Sequence, residues 1–61
     1  MVKLNTLLSV IDSDQTIQVE CNHKTIFKGK PDDFECGLIF ERMEVKCIWY
    51  SHLYTALMIE I

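Results

Sequence analysis

The chain has 61 residues, a formal net charge of −3 and 25% charged side chains, with acids and bases interspersed. A length of this order excludes a second domain and leaves little stability to spare, so one domain over 1–61 is expected, with self-association, a metal or cross-links as the usual supplements. The charge excludes a nucleic-acid surface, which needs clustered Lys and Arg, and the acidic group Asp32, Asp33 and Glu35 is too small to mimic phosphates.

Leu4, Leu7, Leu8 and Ile11 recur at i, i+3, i+4 and i+7, which predicts a helix over 3–11 with one apolar stripe. Asp12-Ser13-Asp14 stops it, because short polar side chains compete for backbone hydrogen bonds and favour turns. Thr16 to Cys21 alternates strictly, placing Ile17, Val19 and Cys21 on one face of a first strand. Asn22-His23 signals a turn, and 25–29 is the second strand of a hairpin. Two registers compete. A two-residue turn sets Val19 opposite Ile26, whereas a three-residue loop sets Val19 opposite Phe27 and Gln18 opposite Lys28, which gives the cleaner core.

Gly29 to Asp33 breaks the strand and offers Asp32 or Asp33 as an N-cap for a short helix over 34–41, with Gly37 in its middle. Residues 44–50 and 56–61 then read as a second hairpin. Pairing Tyr50 with Ala56 also pairs Trp49 with Leu57, Cys47 with Ile59 and Val45 with Ile61, and sends all of these except Tyr50 and Ala56 inward. The expected architecture is α+β, ordered α-β-β-α-β-β, with an antiparallel four-stranded sheet of two hairpins covered on one face by the first helix.

An odd count of three cysteines excludes a complete internal disulfide framework and points to a reducing compartment, here the cytoplasm. No stretch is apolar for long enough to cross a bilayer, and no basic segment followed by an apolar run opens the chain, so no membrane association is expected. Cys21, Cys36, Cys47, His23 and His52 lack the knuckle spacing of zinc modules, and Cys21 and Cys47 fall on the inward phase of their strands, so no metal and no cofactor is expected. The histidines fall in loops, and no nucleophile, base and orienting group come together, so catalysis is not expected either.

With one phase of the second hairpin assigned inward, the other still carries Ile48, Tyr50, Ala56 and Met58, joined by Ile26. The second helix or the Leu53-Tyr54 loop could cover that patch; otherwise Ile26, Ile48, Tyr50 and Met58 form a candidate interface of a homo-oligomer, most simply a dimer.

The run from Lys3 to Asp12, the alternating strand and polar turn, Ile26-Phe27-Lys28-Gly29, the Pro-Asp-Asp segment and the closing Leu-Met-Ile-Glu-Ile together resemble short phage and prophage accessory proteins. In those, a leucine-rich helix ending in Val-Ile-Asp precedes hairpins of the same order. The resemblance implies a non-enzymatic protein-binding inhibitor of a bacterial defence system, CRISPR or another anti-phage machinery, whose partner is a host defence protein. Two other functions stay open: an oligomer that sequesters a nucleotide-like signal between subunits, and a structural or regulatory phage protein.

Overall fold

The computed structural model describes residues 2–35 and 37–61. Its elements are α1 (Leu4–Val10), β1 (Ile17–Cys21), β2 (Lys24–Gly29), a 3-10 turn (Pro31–Asp33), α2 (Leu38–Glu41), β3 (Cys47–Ser51) and β4 (Ala56–Glu60). The element order is the expected one, and the fold is a small α+β sheet with two helices. The sheet is mixed, however, and not antiparallel throughout: its strand order is β2-β1-β4-β3, and the two central strands, β1 and β4, run parallel.

Strand chemistry accounts for that order. β4 is apolar on both phases, with Leu57 and Ile59 on one and Ala56 and Met58 on the other, which suits a strand flanked on both sides and covered on both faces. β2 carries Lys24 and Lys28, side chains that sheet edges favour. The connection through β2, α2 and β3 supplies the long crossover that a parallel neighbour requires.

The core lies between the helical layer and one sheet face. Leu4, Ile17, Val19, Ile59 and Ile61 are fully buried there and Val45 nearly so, with Leu7, Leu8, Ile11, Phe27 and Phe34 packed around them. The stripe read from the sequence is therefore the face that α1 buries. Its N-terminus is held without a side-chain cap: the Leu4 N–H donates to the Met43 carbonyl at 2.9 Å, and the Val45 N–H to the Val2 carbonyl at 2.9 Å. Past its C-terminus, the Asp14 N–H donates to Asp12 Oδ1 at 2.9 Å, the turn chemistry expected of this segment.

The first hairpin combines the two competing registers. Asn22 and His23 form a two-residue turn with φ of 53° and 65°, the signs of a type I′ turn, so that Cys21 faces Lys24 and Glu20 faces Thr25. A bulge then absorbs Ile26, and Val19 faces Phe27 and Gln18 faces Lys28. Histidine at a left-handed position costs about 1–2 kcal/mol, partly offset by the larger unfolded-state entropy of glycine. His23→Gly is accordingly expected to stabilise the chain by about 0.5–1 kcal/mol, read from the urea midpoint; an unchanged or lower midpoint would show that His23 carries no such strain.

Of the helix expected over 34–41, only Leu38–Glu41 is helical. Pro31–Asp33 makes a 3-10 turn capped by Lys30 with no side-chain hydrogen bond, so neither Asp32 nor Asp33 is an N-cap. Gly37, at φ 104°, precedes α2 as its N-cap, in a conformation that side-chain-bearing residues rarely adopt. The expectation for Cys36 lies outside the described residues.

Candidate functional site

The second hairpin differs from expectation by one residue of register. Cys47 faces Glu60, Ile48 faces Ile59, Trp49 faces Met58, Tyr50 faces Leu57 and Ser51 faces Ala56. A one-residue slip moves every side chain to the other face. Ile48 and Tyr50 therefore share the phase of Ile59 and Leu57, while Trp49 and Cys47 lie on the outer face with Met58. Trp49 is 41% exposed and Cys47 is exposed, which corrects their assignment to the core.

The physical cause sits just before β3. Val45 is buried as expected, yet the Lys46 N–H donates to the Glu60 carbonyl at 2.7 Å while Cys47 is also aligned with Glu60. Two residues thus oppose one, as in a β-bulge, and the alternation that begins at Val45 is reset.

This register fixes which backbone groups of β3 remain outward. The Leu57 N–H donates to the Thr16 carbonyl and the Ile61 N–H to the Glu20 carbonyl, both at 2.9 Å, so odd-numbered residues of β4 turn their polar groups to β1. Its even-numbered residues turn to β3 and are met by Cys47, Trp49 and Ser51. The N–H and C=O groups of Ile48 and Tyr50 consequently point away from the sheet, on an edge with no further strand among the described residues. Their side chains are each 43% exposed. Tyr50 has an edge-to-face contact with His52, with ring centroids 5.1 Å apart.

Both ends of this edge are marked. Lys3 pairs with Glu44 in an antiparallel bridge, which places Val2 beside Val45. Where that pairing ends, Val2, Val45, Lys46, Cys47 and Ile48 line an apolar notch of about 280 Å³. At the other end the hairpin turn exposes Leu53, which is 83% accessible.

The outer face divides into two halves. On β1 and β2, Gln18 Nε2 donates to Glu20 Oε2 at 3.2 Å and to Thr25 Oγ1 at 3.0 Å, and just beyond the ends of these strands Lys30 Nζ donates to the Asp14 carbonyl at 2.6 Å. On β4, Ala56 and Met58 are buried, although α1 packs on the opposite face, against Ile17, Val19 and Ile59. Beside them on that face, Trp49 is the cross-strand neighbour of Met58, and the Lys28 ammonium on β2 stands 5.5 Å from the ring centroid of Tyr54 in the β3–β4 turn.

The four candidate interface residues are therefore not one patch. Ile48 and Tyr50 lie side by side on the β3 edge. Met58 is 5% exposed on the opposite face of the sheet, and Ile26, at the bulge of β2, is half-buried against the core at the far edge. Trp49, placed inward by the sequence reading, belongs instead to the exposed edge. No local signal marked it, because residues 44–50 alternate without interruption and the bulge at Lys46 shows only in the pairing with Glu60.

His23 and His52 occupy turns at opposite ends of the sheet, because β3 runs antiparallel to β4 and β4 parallel to β1. Among the described residues no three side chains of the metal-ligating types gather, and no helix is long and apolar enough to cross a membrane. No family model matches the chain, and neither a curated protein nor a solved structure matches it.

Proposed function

We propose that this chain is a non-enzymatic protein-binding module that acts through the β3 edge, and that its partner is a protein of a bacterial defence system, as the resemblance to short phage accessory proteins implies. The reading rests on one observation: Ile48, Trp49 and Tyr50 stand consecutively, each about two-fifths exposed, on a terminal strand with outward backbone donors and acceptors. Such an edge recruits an added strand through main-chain hydrogen bonds, and flanking Trp and Tyr side chains supply the desolvated contacts that dominate protein interfaces.

Trp49 is the only tryptophan, so its emission reports on this edge alone. Affinity capture from bacterial lysate, followed by titration of the purified captured protein, tests the reading. Binding is expected to shift Trp49 emission to the blue, and Trp49→Arg, at a retained melting temperature, to weaken binding at least about tenfold. A partner held equally by both forms without a change in emission would refute the β3 edge as the contact. A chain that retains no protein would refute the module itself.

A further inference from the structure

The β3 edge is complementary to itself, and we infer that a second copy of this chain occupies it, joining the two sheets through antiparallel β3 strands related by a two-fold axis. The inference rests on the reading of that edge as the contact surface and names its occupant in the isolated protein.

Two outward residues, Ile48 and Tyr50, offer two donors and two acceptors per chain. Setting Ile48 opposite the partner's Tyr50, and Tyr50 opposite the partner's Ile48, places outward groups against outward groups and uses all of them in reciprocal pairs. Shifting the axis to Ile48 or to Tyr50 leaves one outward residue of each strand without a counterpart. In the favoured register the two Trp49 side chains meet across the axis as a non-hydrogen-bonded pair on the outer face, where cross-strand side chains approach most closely.

Three further features fit a second copy. From Cys47 to Ser51 the strand carries no charged side chain, so no like charges oppose each other and none of the usual charged guards against edge pairing is present. The free length is also matched, because the edge is bounded by the Val2 segment at one end and by the hairpin turn at the other. The antiparallel strand then delivers its own turn, and with it the exposed Leu53, to the apolar notch of Val2, Val45 and Ile48. An exposed leucine and an apolar notch, neither filled nor covered by another side chain among the described residues, become each other's partners.

This register predicts a specific cross-link. Cys47 opposes Ser51 of the second copy in a non-hydrogen-bonded pair, whose Cα separation of about 4.5 Å lies within the range a disulfide spans. Within one strand the two positions are four residues apart, roughly 13 Å, and cannot be bridged. Ser51→Cys is expected to form a covalent dimer on mild oxidation with copper–phenanthroline, dissolved oxygen accepting the electrons from the two thiols, and Cys47→Ala in the same background to abolish it. Sedimentation equilibrium of the unmodified chain at micromolar concentration is expected to give a dimer mass, and Leu53→Lys, which changes an exposed turn residue, to weaken association at least about tenfold.

A monomer mass at every concentration without cross-linking of S51C would overturn the dimer, as would a cross-link that survives removal of Cys47. If the dimer fails while a captured protein still shifts Trp49 emission, the second copy is discarded and the module reading stands. If the dimer forms and no foreign protein is captured, the second copy is established and the defence partner is discarded.

Discussion

Ile59→Ala is expected to remove a large part of the chain's stability, whereas Trp49→Ala is expected to leave most of it in place. Ile59 is fully buried at the centre of β4, between Val19 on β1 and Ile48 on β3, and contributes to the same core as Leu4 and Ile61. Truncating such a side chain costs about 2–5 kcal/mol, from lost transfer energy and the cavity left behind. A domain of this length holds on the order of 3–9 kcal/mol in total. Trp49 is larger, but much of it already lies in water on the outer face, so its truncation in dilute protein should cost about 1–2 kcal/mol. Urea unfolding followed by far-ultraviolet circular dichroism ranks the two variants. The opposite ranking would mean that β3 presents its other phase to the core and that Cys47 and Trp49 point inward after all.

The second large effect is expected at Met58. This residue is 5% exposed on the face opposite α1, between Gln18 on one neighbouring strand and Trp49 on the other. Placing a carboxylate there leaves a desolvated charge without a partner, a change that costs about 3–5 kcal/mol. Met58→Glu should therefore abolish the cooperative melting transition, while Met58→Leu, which keeps shape and apolarity, should cost less than about 1.5 kcal/mol. If Met58→Glu melts like the unmodified chain, the outer face is open at Met58 and this residue is free to meet a partner, as expected from the sequence.

Local patterning alone settled a good part of this protein. The 3.6-residue recurrence of Leu4, Leu7, Leu8 and Ile11 placed α1 and its buried face, and the alternation of Ile17, Val19 and Cys21 placed β1 and its inward phase, because both periods follow directly from backbone geometry. Asn22-His23 announced the first turn. What a local pattern does not contain is the neighbour of each strand. β4 is apolar on both phases, which fits an exposed interface as well as a central position, and only the parallel pairing with β1 and the burial of Ala56 and Met58 decided for the latter. The bulges at Ile26 and Lys46 likewise come from tertiary demand. In each case one extra residue reconciles a turn or a core contact at one end of a strand with the ladder at the other. At Lys46 that residue exchanged the faces of Cys47 to Tyr50, and so moved Trp49 from the expected core to the open edge of the sheet.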